Sequence, residues 1–241
     1  LRHAAAHCTD TLVSIAERGL AALPMNAYCH VVLGEIMLLR DEIDQARQHA
    51  EHALALLPAG VLRDALLRAL SLLVGIAQAR GDWQGAEELL ARQERELRPT
   101  GMETLDTTMR AQRAWLSLLT GRVGEAAVQL DPVDLTVPIE TRFDGERRMA
   151  LALLRVAQGR PADALEVLEP ELRVASLFGV PVTQLVAPVR ALALDALGRT
   201  EDADRVLAEA LARAAPEGLL RPFLDLGQRL GRTNVHAAFT I

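Results

Sequence analysis

With 241 residues, 50% of them hydrophobic and 24% charged, the chain has enough apolar material for a buried core and too much for a disordered segment. A net charge of −6 argues against a broad nucleic-acid-binding surface, which needs a local excess of cations. All 26 basic residues are Arg, which excludes a Walker phosphate loop and a Schiff-base lysine. Only 3% is aromatic, and the 11 prolines fall mostly between apolar periodic runs rich in Ala, Leu and Val, so the class is all-α.

In chain order, a leading helix is predicted near 5–22, the second half of a truncated pair within 1–25. Paired helices follow near 27–40 and 42–57, 61–80 and 83–98, 102–120 and 123–130, 139–158 and 161–177, and 181–197 and 201–215. The third pair is irregular, because its second helix stops before DPVDLTVP (131–138), whose two prolines disfavour helix on both sides. A connector is the plain reading there, ahead of a hinge or pocket wall. Beyond 215, PEGLLRPFLDLGQRL (216–230) reads as a cap: Pro216 and Gly218 stop the helix, and Phe223, Leu224 and Leu226 can cover an exposed apolar end. Arg221 and Asp225 read as an ion pair rather than effector ligands, and 231–241 as a tail.

A repeat organises residues 26–215. Ala46, Ala86, Ala126, Ala164 and Ala203 stand 40, 40, 38 and 39 residues apart, and Gly81, Gly121, Gly159 and Gly198 each precede theirs by five. Asp41 takes the glycine's place in the first copy. Glycine can adopt the left-handed conformation that ends a helix, and Asp41, Asp82 and Thr200 can then cap the next one, with Pro161 suited to a first helical position. A small residue early in the second helix lets the pair pack closely.

Leu33, Gly34, Ala46, Ala53 and Pro58 resemble the packing positions of tetratricopeptide repeats, although later copies replace the glycine by Val74, Ala114, Ala152 and Ala191 and run longer. The expected architecture is one TPR-like superhelical solenoid of about five to six antiparallel helix pairs spanning 1–241. The segments 27–56, 150–172 and 191–227 together resemble the helical-repeat region of MalT-type, LuxR-family ATP-dependent transcriptional regulators. The closing phrase carries most of this resemblance, through Pro216, Glu217, Gly218, Arg221, Phe223, Asp225 and Gly227, while Leu226 replaces an acidic residue.

The resemblance implies an effector sensor. A small inducer, or a regulatory protein, would bind in the superhelical groove and shift the parent between a closed monomer and an ATP-bound, self-associating state. ATP and DNA would be bound by missing domains of the same parent chain. This region would carry no cofactor and bind no nucleic acid directly, and the stretch after Leu230 is too short for a DNA-reading helix pair. The alternative is a protein-binding scaffold without a small ligand. First helices usually line the concave side, and the alanine register places Tyr28, Glu35, Arg68, Ser71, Gln78, Thr108, Trp115 and Arg147 there as candidate groove residues. Tyr28 and Trp115 could stack on a planar or apolar ligand face; core filling is the plainer role for each. Trp83 is assigned to packing.

Other chemistry is poorly supported. His3 with His7, His49 with His52, and Cys29 beside His30 offer pairs of metal ligands but no third at a recognisable spacing, so no metal site is expected. Cys8 and Cys29 make no disulfide framework and read as buried thiols of a reducing cytoplasm. The acidic groups around Glu87, Glu94 and Glu166 are solvated helix faces, and Ser14, Ser71, Ser117 and Ser176 lack a nucleophile elbow, so no enzyme is expected. No apolar run is long enough to span a bilayer, no signal peptide is visible, and the missing initial Met suggests a piece of a longer chain.

Overall fold

The computed structural model describes residues 1–58, 60–97, 103–130, 142–178 and 180–227. Among them are twelve α-helices and no strand: α1 (Arg2–Glu17), α2 (Asn26–Leu39), α3 (Ile43–Leu56), α4 (Arg63–Ala79), α5 (Trp83–Leu97), α6 (Glu103–Leu119), α7 (Val123–Leu130), α8 (Arg142–Ala157), α9 (Pro161–Phe178), α10 (Val180–Ala196), α11 (Thr200–Ala214) and α12 (Arg221–Gly227). The 131–138 connector and the 231–241 tail lie outside the described residues, as do 228–230 of the cap.

The repeated turn has one geometry in every copy. The amide one residue past the glycine position bonds back to a carbonyl five residues earlier, as in Glu42 to Met37 (2.9 Å), Asp82 to Ala77 (2.9 Å), Arg122 to Ser117 (2.7 Å), Arg160 to Arg155 (2.8 Å) and Arg199 to Leu194 (2.9 Å). This bond requires a left-handed residue inside the loop. Gly81, Gly121, Gly159 and Gly198 supply it at φ of 71, 80, 74 and 75°, and Asp41 supplies it at 64°, a conformation that aspartate tolerates better than most side chains.

Asp41 is therefore the turn residue and not the expected cap, which leaves Glu42 at the start of α3 without a side-chain cap. Thr200 is likewise inside α11, its hydroxyl donating to Asp195 Oδ1 at 3.2 Å. Asp82 does cap, accepting from the Gly85 amide at 2.9 Å, and Pro161 opens α9. The leading helix begins three residues earlier than expected and ends at Glu17, because Gly19 turns left-handed at φ 72°.

Two compact units divide the chain, Leu1–Asp106 and Thr107–Ile241. In the first, α1 packs on α2, α2 on α3 and α4, α3 on α4, and α4 on α5. Each helix touches its sequence neighbour, and the first helices of consecutive pairs, α2 and α4, also touch. Ala46 and Ala50 of α3 meet Leu72 and Ile76 of α4, and Ala53 meets Ala27, Val31 and Ala69. Gly34 makes the α2–α3 approach possible: a Cβ there would stand 3.2 Å from the Ala46 carbonyl and 3.2 Å from the His49 Cβ, and would collide with a Leu72 methyl.

In the second unit α7 packs on α8, α8 on α9 and α10, α9 on α10, and α10 on α11 and α12. One continuous apolar core runs through Ala126, Leu130, Leu153, Leu168, Val189 and Leu226. The cap behaves as its sequence suggests: a short 3₁₀ turn over Ala215–Glu217 and Gly218 at φ 71° end α11, and α12 buries Phe223 and Leu226. Each such side chain taken out of water stabilises by roughly 1.5–3 kcal/mol. All five register alanines, Ala46, Ala86, Ala126, Ala164 and Ala203, are 0% exposed, which explains why the repeat keeps a methyl there.

Candidate functional site

Helical spacing draws a polar strip along the first unit. Tyr28 and Glu35 are seven residues apart on α2, while Asp64, Arg68, Ser71 and Gln78 follow at spacings of four, three and seven on α4, so each set shares one face of its helix. Because α2 and α4 touch, the two faces meet.

At one end the Tyr28 hydroxyl donates to both Asp64 oxygens, at 2.7 and 2.6 Å. Burial, the hydrogen bond to Asp64 and the Asp64 charge push the Tyr28 phenol up to about 12 from its ordinary 10.0. One turn along α4, Arg68 grips Glu35 with two donors, Nε to Oε1 at 3.2 Å and Nη2 to Oε2 at 2.9 Å. Both side chains are about one-fifth exposed, at 23% for Arg68 and 20% for Glu35, so water screens the pair only partly.

Ser71 continues the strip inward. Its hydroxyl donates to the Leu67 carbonyl at 2.7 Å and accepts from Gln93 Nε2 of α5 at 3.0 Å. Gln93 is 0% exposed, and its Oε1 has no partner, a buried acceptor that costs about 1–3 kcal/mol if it stays dry. Gln78 lies half-buried further along the same face.

Four of the eight expected groove residues, Tyr28, Glu35, Arg68 and Ser71, thus lie along one strip in three separate hydrogen-bonded groups. The second unit places its three differently. Thr108 is 1% exposed, Trp115 packs against the apolar core, and Arg147 is half-buried with its Nε unpartnered. Asp64 and Gln93 are members of the strip that the repeat register alone does not select. Asp64 stands four residues before Arg68, and its place as a helical neighbour is the signal that could have found it. Gln93 stands seven residues after Ala86, where the first and fifth copies carry Ala53 and Ala210 but the third and fourth carry Val133 and Glu171, so the register gave no clear signal for it.

Cys8 and Cys29 are half-buried free thiols. Burial, followed by the neighbouring Cys29, pushes the Cys8 thiol up, away from the nucleophilic thiolate. No described helix is long and apolar enough to cross a membrane. Trp83, 42% accessible at the first position of α5, packs less than its sequence position suggests.

A family model described as the MalT-like TPR region matches residues 1–233. No curated protein matches the chain. A TPR-like helical-repeat family agrees with the all-helical architecture and repeated turns above. The chain belongs to the MalT-like TPR region family.

Proposed function

We propose that this chain is the effector-sensing repeat of a LuxR/MalT-type transcription regulator, working in the bacterial cytoplasm without catalysis or a cofactor of its own. A small inducer or a regulatory protein binds the strip formed by Tyr28, Glu35, Arg68 and Ser71. Gln78, half-buried on the same face of α4, is a candidate to extend that strip. The ATPase and DNA-binding functions belong to other domains of the parent.

One observation supports this reading most: the strip joins first helices of consecutive repeats through groups that could each be exchanged for a ligand's. A hydroxyl or carboxylate on a ligand can take over the guanidinium of Arg68, and a ligand donor can take over Glu35 or Asp64. Such an exchange would alter how α2 seats on α4. Binding then favours one arrangement of the repeats over another, as ligand control requires. The scaffold reading, with a protein partner and no small ligand, draws on the surface position of the Tyr28–Asp64 bond, which an approaching peptide could reach.

A melting-shift screen over sugars, nucleotides, amino acids and aromatic acids, run beside a pull-down from native cytoplasm, separates the two. Sensing predicts one metabolite class that raises the melting temperature of the native chain and not of Arg68→Ala. Capture of one defined protein with no metabolite shift would favour the scaffold. Neither result, in a chain shown to be folded, would refute both.

A further inference from the structure

Between α2 and α3 the fold gathers three imidazoles that lie apart in the sequence. His30 Nδ1 stands 3.1 Å from His49 Nδ1. The His30 ring centroid is 5.4 Å from that of His49 and 5.3 Å from that of His52. His49 and His52 are three residues apart on one face of α3, and Gly34, four residues after His30, lets α3 come close enough for the rings to meet. His30 and His49 are half-buried, while His52 is exposed.

We infer that His30, His49 and His52 form a binding site for one divalent transition ion of borderline softness, of the class of Zn²⁺, Ni²⁺ or Cu²⁺. Two imidazole nitrogens bound to one such ion at about 2.0–2.1 Å stand about 3.0–3.4 Å apart for ordinary bond angles, which is the separation His30 and His49 already have. Among the described residues no three His, Cys, Asp or Glu side chains are arranged to hold a metal ion as they stand. The His30–His49 pair is the preformed part, and the exposed His52 ring turns to complete it, with water in the remaining position. An all-imidazole donor set suits Zn²⁺, Ni²⁺ and Cu²⁺ and is poor for Mg²⁺ or Ca²⁺.

The proton balance is simple. One Nδ1 of the bonded pair carries the hydrogen between the rings, and the ion displaces it to Nε2 of the same ring, so both imidazoles stay neutral and no proton is released. A bound ion would clip α2 to α3 within the first helix pair.

Calorimetric titration of the whole chain with Zn²⁺, and separately with Ni²⁺, tests the site. One equivalent is expected to bind and to raise the melting temperature. His30→Ala and His49→Ala should each weaken binding about 10–100-fold. His52→Ala, at an exposed position that leaves folding intact, should weaken it at least about 3-fold, and His3→Ala/His7→Ala should leave it unchanged. Stoichiometric binding untouched by His52→Ala and His30→Ala, loss of binding only in the His3/His7 variant, or no saturable binding by the folded chain would each overturn the inference.

Discussion

Eleven residues before the register alanine, the two units make opposite choices. The first unit places Glu35 and Gly75 there, and the second places Trp115, Leu153 and Leu192. The three residues of the second unit all join one apolar core, whereas Glu35 reaches across to Arg68. An identical helix–turn–helix frame thus supports a continuous apolar core in one unit and, in the other, adds polar pairs to the apolar contacts between first helices. Apolar burial is non-directional and keeps its strength when side chains shift slightly; ion pairs and hydrogen bonds depend on geometry and can be exchanged for a ligand's. On the proposed function, the first unit is the one that would respond to a ligand.

The largest way to break that contrast is to open the second core. Leu153→Ala removes a side chain that is 1% exposed, and unfolding should show a loss of roughly 2–5 kcal/mol by denaturant titration. A loss under about 1 kcal/mol would mean that this core is not the molecule's anchor. Next comes the close approach in the first unit. Gly34→Ala gains about 1 kcal/mol of helix propensity but forces α3 and Leu72 away from α2, for a net loss of roughly 1–2 kcal/mol in the same assay.

Breaking the polar seam should be gentler. Arg68→Ala leaves Glu35 half-buried without its fork, at a cost of roughly 1 kcal/mol, while Arg68→Lys retains charge and loses the two-donor grip. If Arg68→Ala unfolds the protein as readily as Leu153→Ala does, the division of labour between units is wrong. The smallest effect sharpens the picture most finely. Tyr28 is the chain's single tyrosine, so ultraviolet titration reads it alone, and its midpoint should lie well above 10.0, near 12. Unfolding returns the phenol to its ordinary value, so this contribution to stability is complete below pH 10 and lost as pH rises towards about 12. Asp64→Asn should bring the midpoint back towards 10.0.

Most of the fold was legible because it rests on local, repeated chemistry. The glycines at 81, 121, 159 and 198 announce left-handed turns, and the alanine after each announces a close helix contact. Asp41 was harder to read: an aspartate before a helix resembles a cap, and only the backbone shows it occupying the glycine's place. The strip was half legible. Register placed Tyr28, Glu35, Arg68 and Ser71 on faces that could meet, yet the bonds to Asp64 and Gln93 depend on how far α4 and α5 slide against their neighbours, which no local pattern encodes. His30 joined His49 and His52 for the same reason, through an approach set by one missing Cβ.

Native-state hydrogen exchange on the ligand-free chain tests the contrast between the units most directly. Amides of α8 and α10 should open only at free energies near global unfolding, while α2 and the first half of α4 should exchange through openings lower by about 1–3 kcal/mol, because their seam relies in part on polar pairs. Equal protection in both units, or greater protection in α2 and α4, would contradict the account.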